Sequence, residues 1–273
     1  MKRIALFFSL TTTLLLVSFS ADKRTHSSVV PNEKGTPFRV LKNEAFQRGE
    51  KLTFRLHYGF IDAGVAVLEV KDEVKMFGSR KSFHIVGTGT SIGTFDWFFK
   101  VRDRYETYID EEAIIPWFFV RRVDEGGFKI SQDYTFNHYA NKVDVGEGEK
   151  IDIPDNTQDM LSAFYAARCL DFSSAKEGDI FDITSFVDKE IFPMQIKFVG
   201  KETIKTSLGK VKCLTFRPVV QKGRVFKKEE DMKVWITDDK NHIPVRAQAE
   251  LLIGSIKLDI VKAEGLVNPI TKE

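Results

Sequence analysis

One stretch limits the possible folds more than any other. Residues 155–171, Asp-Asn-Thr-Gln-Asp-Met-Leu-Ser-Ala-Phe-Tyr-Ala-Ala-Arg-Cys-Leu-Asp, form the one segment beyond the N-terminal leader whose apolar residues recur at helical spacing. Met160, Ala163, Phe164, Ala167 and Leu170 share a stripe. Asp155 or Asn156 is placed to cap the first turn, and Gln158 or Asp159 to close that cap from inside. A solitary apolar helix needs a sheet to lie on.

The remainder supplies that sheet. Leu52, Phe54, Leu56 and Tyr58 alternate with Lys51, Thr53, Arg55 and His57, the period of a half-buried strand. Similar runs recur to Ala263, separated by turns such as Phe77-Gly78-Ser79, Glu125-Gly126-Gly127, Leu208-Gly209-Lys210 and Asp238-Asp239-Lys240-Asn241. Short connections favour antiparallel pairing. The expected fold is therefore mainly β: a strongly curved antiparallel sheet or open barrel, with the helix of about 155–171 on its concave face. The expected domain plan is a signal peptide at 1–20, a flexible lead-in at 21–45, one β-rich domain at 46–265 and a tail at 266–273.

The leader carries Lys2 and Arg3, then an apolar run from Ile4 to Val17, then Ser18 and Ser20 before Ala21. That is the layout of a cleaved secretory signal, and the run is shorter than the roughly 20 apolar residues a membrane span needs. No cysteine stands directly after it, the first being Cys169, so a lipoprotein anchor is not expected. An exported, periplasmic or envelope location in a Gram-negative-type bacterium follows. With Lys2 and Arg3 set aside, 39 basic residues balance 39 acidic ones. That balance gives no electrostatic pull toward nucleic acid. Cys169 and Cys213 are the two cysteines; an oxidising compartment permits a disulfide between them, and two small buried side chains are the alternative.

Several of these stretches together resemble an exported bacterial family known as domain of unknown function 3108. They are Phe46-Gln-Arg-Gly-Glu-Lys-Leu-Thr-Phe54, Tyr58-Gly-Phe-Ile-Asp-Ala-Gly64, Arg102-Asp103-Arg104-Tyr105, Pro116, Gly209-Lys-Val-Lys-Cys213, Met232-Lys-Val-Trp-Ile-Thr-Asp-Asp239 and Ile243-Pro244-Val245. The resemblance implies an envelope location and an antiparallel β fold. It carries no activity, so no functional residue transfers.

Chemistry-bearing motifs are sparse. Gly89-Thr-Ser91-Ile-Gly93 matches the G-x-S-x-G pattern of a nucleophile elbow, with His138 or His242 as its base, but that elbow belongs to a parallel sheet with many helices. Asp103 and Glu125 are candidates for a carboxylate pair acting on a glycosidic bond. The five histidines show no metal-ligand spacing, and neither a metal nor a cofactor is expected. The acids at 152, 155 and 159 read as helix capping.

The most suggestive feature is aromatic. The chain has 24 Phe against 6 Tyr and 3 Trp. Phe95, Trp97, Phe98, Phe99, Trp117, Phe118 and Phe119 crowd one region, and Phe164 lies on the helix. A Phe-rich core accounts for this without any function. The functional reading is an apolar groove for an acyl chain or similar ligand. The sequence thus points to an envelope binding or carrier protein for an amphiphile, lipid or cell-surface polymer, not an enzyme. A hydrolase of envelope glycan or ester bonds and an outer-membrane barrel with a polar lumen are the alternatives.

Overall fold

The computed structural model describes residues 38–218, 232–250 and 254–273. The signal segment and the lead-in through residue 37 lie outside that range. The alternating runs become fourteen strands in a single sheet. They are β1 (Lys51–Tyr58), β2 (Ile61–Phe77), β3 (Arg80–Ser91), β4 (Arg102–Asp110), β5 (Pro116–Glu125), β6 (Phe128–Asn137), β7 (Lys142–Asp144), β8 (Lys150–Asp152), β9 (Ile180–Val187), β10 (Glu190–Thr206), β11 (Gly209–Pro218), β12 (Met232–Thr237), β13 (Pro244–Glu250) and β14 (Ser255–Glu264). Among the described residues two helices interrupt them: α1 (Gly93–Phe98) between β3 and β4, and α2 (Met160–Arg168) between β8 and β9.

The spatial order is β8-β7-β6-β5-β4-β3-β2-β1-β14-β13-β12-β11-β10-β9. Every named strand pair is antiparallel. The first and last strands pair, so the sheet is two meanders joined at β1–β14. The turns β1–β2, β5–β6 and β9–β10 share one end, the rim end. The N-terminal segment, the β12–β13 turn and the C-terminus share the other, the helix end.

Leu52, Phe54 and Leu56 of β1 are buried, and Lys51 and Arg55 point to the other face. The concave face collects a continuous core from β1–β6, β9 and β11–β14, including Ile85, Ile109, Phe119, Phe136 and Phe186, all at most 2% exposed. Burying each such side chain contributes about 1.5–3 kcal/mol. The convex face carries ion pairs such as Arg55–Asp62 (3.0 Å) and Arg122–Asp133 (2.6 Å). A barrel embedded in lipid has the opposite arrangement, apolar outside and polar within. The outer-membrane alternative is corrected on that ground. No helix among the described residues is long and apolar enough to cross a membrane.

The sheet does not close. Its end strands, β8 and β9, share no ladder: Gln158 laces them, Lys189 pairs with Glu149 across the gap (2.5 Å), and Phe186 packs on Tyr134 and Phe136 of β6. The Gln158 N–H donates to the Thr184 carbonyl (2.8 Å), and the Phe186 N–H donates to the Gln158 carbonyl (2.7 Å). β7 and β8 are three residues each, and β7 pairs with β6 only over Thr135–Asn137. No described strand therefore lies beside the outer edge of Phe128–Tyr134.

Helix α2 is shorter than expected, and Asp159, not Asp155 or Asn156, is its N-cap. The Asp159 carboxylate accepts from Leu161 N (2.7 Å) and Ser162 N (2.8 Å), while Ser162 Oγ accepts from Asp159 N (2.8 Å). The preceding residues have other work: Asn156 sits at φ 58 and Gln158 laces the seam. The buried set is Met160, Leu161, Ser162, Ala163, Tyr165, Ala166 and Arg168, with Phe164 half-buried. That is broader than the expected stripe, because the curved sheet wraps the helix on more than one side. Gly87 of β3 leaves room for it: a Cβ there would stand 3.2 Å from Leu68 and 3.8 Å from Leu161.

The helix end is tied down by charge. Arg168 and Glu50, 2% and 0% exposed, form a bidentate pair at 2.6 and 2.7 Å. Arg168 also donates to the carbonyls of Asn241 and Ala45, each at 3.0 Å. Gly265 (φ +66) packs so closely on Gly49 that a Cβ there would meet the Gly49 carbonyl oxygen at 2.1 Å.

The flanking segments are integrated. Phe38 packs on Trp117 and Tyr139, Arg39 donates to the carbonyls of Ala113 and Ile114, and Lys272 bridges Val211. The lead-in expected through residue 45 is thus packed from Phe38 onward. Cys169 and Cys213 are both free thiols, so the expected possibility of a disulfide is not realised. Each thiol instead meets an acceptor of its own, Asn43 Oδ1 and the Val211 carbonyl.

Candidate functional site

The aromatic block is distributed, not gathered. Phe95 and Phe99, 8% and 6% exposed, turn into the core from α1 at the rim end. Trp97 and Phe98 of the same helix turn outward, 88% and 57% exposed. Gly126 (φ +57) makes room for Phe99: a Cβ there would stand 2.6 Å from its ring. Phe119 lies on the inner face of β5, between Tyr105 and Tyr134. Trp117 is at the helix end against Phe38, Tyr139 and His138. Phe118 lies on the convex face near Tyr108, and Phe164 packs on α2 against Tyr165 and Arg168. Five of the eight therefore share the rim end or the inner wall. Phe60, Ile61 and Phe128, on the adjoining turns, add exposed apolar surface at that same end.

Asp103 and Glu125 are buried on the inner faces of β4 and β5. Tyr105 pairs with Arg121, which makes Asp103 and Glu125 diagonal neighbours on one wall. They do not face each other across a cleft, as acid and base flanking a glycosidic bond would. Ser91 is held by its own turn: Oγ donates to Asp96 (2.5 Å) and accepts from Val101 N (2.8 Å). It ends β3 at the rim, whereas His138 and His242 follow β6 and β12 at the helix end. The nucleophile and its candidate bases are not brought together. Among the described residues, no group of three His, Cys, Asp or Glu could hold a metal ion.

The inner wall holds polar residues the sequence reading passed over. Arg121 is in phase with Trp117, Phe119 and Val123 along β5, so a guanidinium lands on the apolar face. It is 4% exposed and its Nε has no hydrogen-bond partner. Nη1 donates to Asp188 (2.9 Å), whose side chain is 63% exposed, and the group lies 5.8 Å from the Tyr105 ring centroid. Tyr134, opposite Phe119 on β6, is 2% exposed and its hydroxyl is unpartnered. Burial pushes that hydroxyl up to about 12, so it stays a donor. The signal was available in β5: a charge at an inward position of a strand is unusual and expensive.

At the helix end, a separate cleft of about 520 Å³ lies among Lys42, Glu44, Cys169, Asp171, Asp239 and His242. Its charges answer one another, as in the Lys42–Glu44 (3.1 Å) and Lys240–Glu44 (3.2 Å) pairs. Burial raises the Cys169 thiol to about 12, which removes it as a nucleophile at neutral pH.

No curated protein matches the chain. Among solved structures, a β-barrel-like protein of domain of unknown function DUF1849 from Brucella abortus is similar at 10% identity and a TM-score of 0.49, over 84% of this chain and 99% of that one. A candidate lipoprotein from Parabacteroides distasonis matches at 13% identity and 0.34, over 84% and 100%. A candidate exported protein with a YmcC-like fold from Bacteroides fragilis matches at 13% and 0.29, over 84% and 100%. At these scores the likenesses carry no functional argument. The family comparison does carry membership. The model of proteins of unknown function DUF3108 matches residues 53–261, so the chain belongs to the DUF3108 family.

Proposed function

We propose that this protein is exported to the bacterial envelope and binds a hydrophobic or amphiphilic ligand there without catalysis. The observation that carries the reading is the incomplete closure of the sheet. An apolar inner wall is left beside an edge, Phe128–Tyr134, that no described strand covers. Exposed Phe60, Ile61, Trp97, Phe98 and Phe128 surround the rim end, where a greasy ligand would first make contact. Phe95, Phe99 and Phe119 line the inner wall behind them. The leader at 1–20 supports export, and the balanced charge gives no case for a nucleic-acid partner.

The test is delipidated protein titrated with a fluorescent fatty-acid probe. Saturable binding, weakened several-fold in a Trp97→Ala/Phe98→Ala double variant, is the expected result. Absence of saturable binding sinks the proposal. Binding that the double variant leaves unchanged removes α1 from the site.

A further inference from the structure

The inner wall also indicates which amphiphile fits. A guanidinium only 4% exposed is costly unless a carboxylate and a full set of acceptors answer it. Arg121 has only part of that set: Gln132 Oε1 at 3.4 Å, Asp188 at 2.9 Å, and nothing at Nε. Asp188 is not built into the wall. It stands on the two-residue β9–β10 turn, where both Asp188 (φ 49) and Lys189 (φ 68) hold the left-handed conformation that non-glycine residues disfavour. Its side chain is 63% exposed and accepts from Arg121 and Gln132 across the seam between β6 and β9, while the neighbouring Lys189 pairs with Glu149 (2.5 Å). On the wall beside Arg121 is the unpartnered Tyr134 hydroxyl, and the Tyr134 ring packs on Phe186 (5.5 Å) and Phe119 (6.1 Å). One polar donor pair thus borders a run of apolar rings, at the place where the sheet is unpaired.

We propose that Arg121 and Tyr134 form the polar end of the binding space, where they take the carboxylate or phosphate of an anionic amphiphile whose chain runs along Phe119 and Phe186. The incoming anion replaces the Asp188 carboxylate on Arg121, and Asp188 moves out with its turn. Guanidinium and phenol both donate, so a neutral head group would leave Arg121 buried against only the partners it already has. This rests on the binding role proposed above.

The experiment compares two ligands with one chain and different heads, oleate and oleyl alcohol, in displacement titrations of a neutral fluorescent acyl probe at pH 8. Sodium acetate and inorganic phosphate serve as chainless anions. Wild type is expected to bind oleate at least tenfold more tightly than oleyl alcohol. Asp188→Asn, an exposed change, is expected to tighten oleate several-fold and leave oleyl alcohol unmoved. Arg121→Gln is expected to bring oleate down to the alcohol's affinity. Equal binding of oleate and oleyl alcohol in both wild type and Asp188→Asn overturns the head-group site while leaving the binding role intact. Acetate or phosphate competing as strongly as oleate overturns the amphiphile assignment in favour of a small-anion site. Failure of both long-chain ligands and of the probe overturns the binding role as well.

Discussion

The two ends of the curved sheet are built on different rules. At the helix end, charge is buried and answered. Arg168 has Glu50 and two carbonyls, and Asp110 receives Arg80, two backbone N–H groups and the Trp117 indole. At the rim end, Arg121 and Tyr134 keep unpartnered polar atoms, and Trp97, Phe98 and Phe60 lie in solvent. The first end holds the strands and helix α2 in register. Buried polar atoms without partners occur at both ends, His138 Nδ1, Asn141 Oδ1 and the Tyr165 hydroxyl among them, so what sets the second apart is a buried guanidinium answered only in part, with Trp97, Phe98 and Phe60 exposed at the same end. On the proposed reading, the difference separates the part of the chain that maintains the fold from the part that would take a ligand.

The contrast can be broken by mutation. The largest effect is expected at the helix end. Glu50→Gln or Arg168→Met leaves one buried charge without its partner, and either is expected to cost about 3–5 kcal/mol in urea unfolding. A cost under about 1 kcal/mol for both would mean that the pair is not the clamp described here. At the other end, Trp97→Ser is expected to change stability by less than about 0.5 kcal/mol.

The pH response sharpens the same comparison. Burial pushes the His138 imidazole down to about 4, against the hydrogen bond its Nε2–H donates to the Pro116 carbonyl (2.7 Å). The unfolded chain, with a histidine near 6.5, therefore binds more protons between pH 6.5 and 4, and this group's stability is lost as the pH falls through that window. The loss amounts to about 2 kcal/mol at pH 5. Asp159 acts in the opposite direction. Burial raises its carboxyl to about 6, against hydrogen bonds from Thr107 and the helix N-terminus. The folded chain then binds more protons between about 4 and 6, so acidification through that window relieves a penalty. The net expectation is a modest loss on going from pH 7 to pH 5. Asp159→Asn is expected to steepen that loss and His138→Phe to remove or reverse it, each read from urea midpoints at the two pH values. Identical slopes in all three proteins would contradict the burial argument.

Much of the fold was legible, for identifiable reasons. Alternation in Lys51–Tyr58 fixed a strand and its inward face, because period-two burial needs only one residue's register. Helix α2 was visible, but its cap was not. Asp155, Asn156 and Asp159 are chemically alike, and the choice depended on Gln158 being claimed by β9 and Thr107 being opposite Asp159. Those partners are 26 and 52 residues away along the chain. The aromatic block was half legible. Trp97 and Phe98 sit only two and three residues from the buried Phe95, yet the six-residue helix points Trp97 outward and leaves Phe98 at the margin, packed on Phe95 (4.7 Å) but 57% exposed. Arg121 was hard to read because Arg122 follows it, and two adjacent arginines place one guanidinium on each face whichever way the strand is turned.

The central claim is that an acyl ligand enters at the rim end and not at the helix end. Tryptophan quenching by dibrominated stearate tests it most directly, since Trp97 lies at one end and Trp117 at the other. The account expects saturable quenching in wild type that is largely lost in Trp97→Phe and kept in Trp117→Phe. Quenching that survives Trp97→Phe and disappears in Trp117→Phe, or no quenching at any concentration, would contradict it.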